Sequence, residues 1–306
     1  MLPTRRGGFR LFRLAGIDVF LHWSWFVVAV IAVQRSRGYG SPLWGALEYL
    51  ALFAIVTFHE FGHALACRQV GGRADQIVLW PLGGVAYVDP PQRPGATLWS
   101  IAAGPLVNVA LLPLLIGAWV LARGAGWNES APDALVFVRE VAQINIGLLL
   151  FNVLPIYPLD GGQILRSLLW FVLGRARSLM AATALGFVGV AGLGFLAYLW
   201  DSPWLGILTA FAGISCWNGF QHARALWRIE RLPRHAGYAC PSCRTAPAAG
   251  PLWACGACQA PFDVFETRAT CHACGTRFGN AGVRCSACGT THALDDWAAT
   301  TASPIR

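Results

Sequence analysis

Two histidines and a glutamate lie within five residues of one another, His59-Glu60-Phe61-Gly62-His63, an HExxH pattern. On a helix the i, i+4 spacing places both imidazoles on one face, where they can share a metal ion, with Glu60 beside the first of them. The chemistry such a set serves is peptide hydrolysis: a zinc ion lowers the pKa of a water and polarises the carbonyl, and the carboxylate carries the proton. A catalytic zinc takes three protein ligands and keeps a fourth position open. The candidates for the third ligand are Asp18, His22, Glu48 and Asp160. Asp18 and Glu48 fall near the ends of apolar runs, and His22 reads either as a core histidine or as a neighbour of the site. Asp160 differs, because Pro155 and Pro158 interrupt the helix before it and Gly161-Gly162 loosen the backbone after it, so its carboxylate can approach a metal.

The elements that must position these groups are hydrophobic. Of 306 residues 56% are hydrophobic and 12% charged, about half the charge of an ordinary soluble domain. Apolar runs near 15–33, 44–66, 96–122, 135–157, 179–200 and 203–227 each reach or approach the ~20 residues that cross a bilayer as a helix. The expected fold is an all-α polytopic membrane bundle of about six transmembrane helices. HEFGH then lies inside the second span, where each polar side chain costs about 2–3 kcal/mol if unpaired, so a functional cavity is the default reading. Two β-rich runs around Leu82-Gly83-Gly84 predict a short membrane-associated β-hairpin, and residues 161–175 predict an interfacial amphipathic helix. The first apolar run is too long, and too rich in Trp and Phe, for a cleaved signal.

Basic residues cluster on alternate loops. Arg5, Arg6, Arg10 and Arg13 precede the first run, Arg68, Arg73 and Arg93 follow the second, Arg166, Arg175 and Arg177 follow the fourth, and Arg224, Arg228, Arg231 and Arg234 follow the sixth. The other loops carry only Arg35, Arg37, Arg123 and Arg139. This asymmetry predicts both termini in the cytoplasm. The net charge of +8 is accounted for by loops anchored at anionic lipid, without nucleic acid. All 23 basic residues are arginine, which hints at a bacterial coding sequence and hence a bacterial inner membrane.

Near residue 235 the apolar runs give way to short Cys-, Gly- and Ala-rich pieces, dividing a transmembrane core, 1–234, from a cytoplasmic tail, 235–306. Apart from Cys67 and Cys216, the ten cysteines form four CxxC pairs: Cys240/Cys243, Cys255/Cys258, Cys271/Cys274 and Cys285/Cys288. In a reducing compartment they predict two structural four-cysteine zinc sites, a zinc-ribbon module dependent on its metal to fold. Adjacent knuckles make the simplest pairing, first with second and third with fourth; a crossed pairing stays open. His272 and His292 read as exposed, since the thiolates fill both sites. Metal-bound thiolates leave the tail near neutral or acidic, a surface suited to a protein partner and poor for nucleic acid.

FHEFGHALA at 58–66, PLGGVA at 81–86, AGPLVN at 103–108 and FNVLPIYPLDGG at 151–162 occur in this order over about residues 15–225. Together they resemble the site-2 protease family of intramembrane zinc metalloproteases. The resemblance implies a six-span core whose zinc is held by His59, His63 and Asp160, with Glu60 as catalytic base and Asn152 holding the scissile carbonyl. It also implies a membrane-embedded edge strand near Leu82-Gly83-Gly84, and regulated intramembrane proteolysis that releases a membrane-tethered regulator such as an anti-sigma factor. Asn108 matches the family pattern without a derivable role, and helix packing through Ala103, Gly104 and Asn108 stands at least level with substrate contact. A different class, a non-catalytic membrane adaptor recruiting partners through its ribbons, is the alternative; it does not need Glu60 and Asp160, and both are present. A metal transporter would distribute ligands along a pathway, where this chain shows one cluster.

Overall fold

The computed structural model describes residues 8–35, 39–80, 83–278 and 282–297. Arg5, Arg6, Arg37 and Leu82, which the sequence reading places in loops and at a hairpin turn, lie outside them. The chain opens with strands β1 (Gly8–Leu14) and β2 (Ile17–His22), then helices α1 (Ser24–Arg35) and α2 (Pro42–Gln69). Strands β3 (Arg73–Trp80) and β4 (Gly83–Asp89) precede α3 (Pro94–Gly124), the short α4 (Trp127–Ser130) and α5 (Pro132–Val153). Helices α6 (Asp160–Leu173), α7 (Arg175–Leu199) and α8 (Pro203–Arg231) complete the helical part. Among the described residues four helices, α2, α3, α5 and α7, are long and apolar enough to cross a membrane. Helix α8 has the length, 29 residues or about 44 Å, but a more polar composition.

The expected first span divides differently. Residues 17–22 are a strand, and α1 has 12 residues, about 18 Å, short of a bilayer core. The reason is period two inside an apolar run: Ile17, Val19 and Leu21 are buried while Asp18, Phe20 and His22 are half-buried, as a sheet face requires. The expected hairpin is present as half of a four-stranded sheet in the order β1-β2-β3-β4. Strands β1–β2 and β3–β4 pair antiparallel and β2–β3 parallel, with Val19 opposite Ile77 and Ile77 opposite Ala86. The inward residues Ile17, Val19, Leu21, Ile77 and Leu79 pack against Val56, Phe61, Ala64 and Cys67 of α2, fixing that helix against the sheet. On its other side α2 packs on α3, which also contacts α5 and α6. The expected amphipathic helix at 161–175 is α6.

Beyond α8, four knuckles share one backbone geometry. Each first cysteine N–H donates to the carbonyl five residues on, and the N–H four residues on donates back to the cysteine carbonyl: Cys240 with Thr245 and Arg244, Cys255 with Ala260 and Gln259, Cys271 with Thr276 and Gly275, Cys285 with Thr290 and Gly289. Strands β5 (Trp253–Ala254) and β6 (Pro261–Phe262) flank the second knuckle, and β7 (Gly282–Arg284) and β8 (Thr291–Ala293) the fourth. A single apolar cluster, including Phe262, Val264, Phe265, Val283 and Trp297, underlies all four. The knuckles therefore fold as one unit rather than as two ribbons in tandem. The fourth knuckle touches the helical part: Arg175 Nη1 donates to the Ser286 carbonyl at 2.8 Å, and Arg284 pairs with Asp89 at 3.3 Å.

The fourth residue after each leading cysteine is left-handed: Arg244 at φ 58°, Gln259 at 60°, Gly275 at 71° and Gly289 at 76°. A side chain in that region costs about 1–2 kcal/mol. Arg244→Gly and Gln259→Gly should each raise the tail's stability by up to about 1 kcal/mol after the added unfolded-chain entropy. Gly275→Ala, whose added Cβ meets nothing within 4 Å, should lower it by about 1 kcal/mol through the backbone alone. The check is the guanidinium midpoint at which tail thiols become reactive.

Candidate metal centre

Helix α2 carries His59 and His63 one turn apart, and both are buried at 6% exposure. Their Nε2 atoms lie 3.1 Å apart. Asp160, the first residue of α6, enters from the break at 154–159 and sets Oδ2 3.0 Å from His59 Nε2 and 3.3 Å from His63 Nε2. Two donors at 2.0–2.1 Å from a tetrahedral zinc lie about 3.3–3.4 Å apart, so the three atoms have the spacing of a zinc ligand set. The tautomer of His63 fits as well. Its Nδ1 is 2.9 Å from the Ser100 carbonyl, which can only accept, so Nδ1 carries the proton and the Nε2 lone pair is free to bind a metal. His59 Nδ1 faces Asn108 Oδ1 at 2.6 Å. Glu60 is also buried at 6%, and its Oε2 accepts a hydrogen bond from the Ala86 N–H of β4 at 2.8 Å. The outermost strand thus holds the carboxylate next to the ligand set.

Helix α3 passes directly over the two imidazoles. A Cβ on Gly104 would sit 2.3 Å from His63 Nε2 and 2.8 Å from His59 Nε2, so the glycine of AGPLVN is required by this approach. The other polar candidates have partners elsewhere. Asp18 pairs with Arg10 at 3.3 Å, His22 Nδ1 meets Ser24 Oγ at 2.5 Å, and Glu48 accepts from the Tyr39 hydroxyl at 2.5 Å. Asn152, in the last turn of α5, is half-buried, and its side chain makes no hydrogen bond among the described residues. Ser100, Asn108 and Asn145 complete the surroundings of the imidazoles, and of these Ser100 and Asn145 carry no sequence signal of their own. For Asn108 the motif was visible; the contact, across 49 residues, was not.

The tail cysteines converge into two groups of four with nested pairing, first knuckle with fourth and second with third. Cys240–Cys288 and Cys243–Cys285 Sγ distances are 3.7 Å; Cys255–Cys274 is 3.6 Å and Cys258–Cys271 3.7 Å. These are far beyond a disulfide, at about 2.05 Å, and close to the ~3.8 Å edge of a tetrahedral zinc–thiolate site. Adjacency in sequence suggested the other pairing, but each knuckle is the tip of its own small turn, and packing on the shared apolar cluster brings the first tip to the fourth and the second to the third. His272 and His292 belong to neither group.

With this geometry in hand, likeness to known proteins is specific. The profile of peptidase family M50 matches residues 48–134 and 121–196. Over those residues, just under half of its length, the chain matches that family. It is 31% identical over 177 residues to a zinc metalloprotease of Methanocaldococcus jannaschii, covering 58% of this chain and 50% of that protein. It is 31% identical over 194 residues to stage IV sporulation protein FB of Bacillus subtilis, covering 61% of this chain and 64% of that protein. The chain thus spans roughly half to two thirds of the length of these relatives. In fold it resembles the site-2 protease from Methanocaldococcus jannaschii, with a TM-score of 0.52 and 24% identity, covering 70% of this chain and 95% of that one.

Gly104→Ala should empty the centre while leaving the tail sites filled. Metal analysis of the purified variant, equilibrated with zinc that saturates the native chain, should find one equivalent fewer; an unchanged zinc content would contradict the close approach described above.

Proposed function

We propose that this chain is an intramembrane zinc metalloendopeptidase that cuts a peptide bond in or near a substrate's transmembrane segment. The observation that carries the reading is the convergence of His59 Nε2, His63 Nε2 and Asp160 Oδ2 beside buried Glu60, on a helix long and apolar enough to cross a membrane. His59, His63 and Asp160 would hold a zinc ion, which when bound would supply Lewis-acid activation of a water and of the scissile carbonyl. Glu60 accepts the water's proton and delivers it to the leaving amine. Asn152, whose amide has no partner among the described residues, donates to the carbonyl oxygen as negative charge develops there. Strand β4, at the end of the sheet and next to Glu60, pairs with the unwound substrate segment and presents it to the centre.

Residues 1–234 are then the protease core and 235–306 a cytoplasmic zinc module that binds a protein partner, in a bacterial inner membrane with both termini inside. The substrate is a membrane-embedded protein, and the product a released regulator. Three zinc ions per chain follow from this reading, one on His59, His63 and Asp160 and two in the tail; two per chain would leave only the tail accounted for.

Glu60→Gln should lower cleavage of a transmembrane substrate by about 10²–10⁴-fold with zinc content unchanged, and its natural substrates should accumulate uncut in cells carrying it. If no membrane protein differs between the two strains, and the purified native chain cuts no transmembrane peptide in the presence of zinc, the adaptor reading replaces this one. Asn152→Ala should lower kcat by about 10²–10³-fold, again without loss of zinc.

A further inference from the structure

Asn108 on α3 and Asn145 on α5 are both fully buried, at 0% exposure. Asn145 Nδ2 lies 3.0 Å from the main-chain carbonyl oxygen of Asn108. A peptide carbonyl can only accept and cannot turn over, so the Asn145 amide must point its NH₂ there. Its Oδ1 is then the acceptor for Asn108 Nδ2, at 2.8 Å. That in turn directs Asn108 Oδ1 at His59 Nδ1, 2.6 Å away. An amide oxygen also only accepts, so His59 holds its proton on Nδ1 and presents the Nε2 lone pair to the other ligands. Every orientation in this series is dictated by the one before it, starting from a group with no freedom.

We infer that Asn145 and Asn108 are positioning residues that set the tautomer of His59 and so the zinc affinity of the centre. The two histidines receive the same instruction by different routes. For His63 the backbone of α3 gives it directly, through the Ser100 carbonyl. His59 Nδ1 has no main-chain carbonyl partner among the described residues, and the message passes from the Asn108 main-chain carbonyl through two side-chain amides. A packing role alone explains two asparagines bonded to each other between helices. It does not explain why the remaining oxygen of the pair faces a ligand histidine at 2.6 Å.

The inference rests on the zinc reading of the centre, and the experiment separates the two. Zinc affinity of the full-length protein in detergent is measured by chelator competition, with His59→Ala/His63→Ala protein defining the tail contribution. Asn108→Leu should weaken the His59-dependent site by about 10–100-fold. Asn145→Leu should weaken it less, by about 3–10-fold, because the Asn108 amide is then free to turn over but still present. Asn108→Asp keeps an obligate acceptor facing Nδ1, so affinity should stay within a few-fold of native, and Asn145→Leu should have no effect in that background. Such background dependence distinguishes orientation from packing, because a packing defect at Asn145 persists whichever acceptor stands at 108. Native affinity in Asn145→Leu, or the same loss in both backgrounds, overturns the relay alone. Absence of any His59-dependent zinc in the native chain overturns the zinc reading and the relay with it. If Asn108→Leu does not fold, the Asn145→Leu comparison in the native and Asn108→Asp backgrounds still decides the matter.

Discussion

Three electron-rich atoms, two imidazole nitrogens and a carboxylate oxygen, lie within 3.3 Å of one another among transmembrane-length helices. In water such a cluster would disperse or be screened. In a low-dielectric interior it needs positive charge among its members, and its spacing is that of ligands around a tetrahedral cation. Most of the surrounding architecture serves to hold the cluster together. Helix α2 supplies two members at i and i+4, the broken segment before α6 supplies the third, and α3 lies across them so closely that only glycine fits at position 104.

The sheet answers a different requirement. Glu60 stands beside the cluster without joining it, and a main-chain N–H of β4 keeps it there. That strand is positioned by β3, and the inward faces of β2 and β3 pack against α2, the helix that bears His59 and His63. Strand, carboxylate and ligand helix are thus parts of one packed unit. The tail is connected to the same strand: Arg284 pairs with Asp89 at the end of β4, and Arg175 at the start of α7 reaches the Ser286 carbonyl.

What could be read in advance follows from how local each signal is. HEFGH is legible because helical periodicity alone brings its histidines together, and Asp160 because prolines and glycines mark an irregular backbone. That the eight tail cysteines gather in fours is legible, since CxxC spacing is local, whereas their nested pairing depends on how four turns pack around Phe265 and Trp297. Strand β2 was hidden because Ile17, Val19 and Leu21 alternate inside a run apolar enough to pass for a span. The contact of Asn108 with His59 joins residues 49 apart, and the bond of Asn145 to Asn108 joins residues 37 apart. Neither spacing has a local pattern from which it could be inferred.

The most direct test of the account is anomalous diffraction at the zinc edge from crystals of the native chain. The expected result is a peak about 2 Å from each of His59 Nε2, His63 Nε2 and Asp160 Oδ2, with Glu60 outside the coordination sphere. Peaks confined to the two cysteine groups, with nothing between the histidines and Asp160, would contradict it.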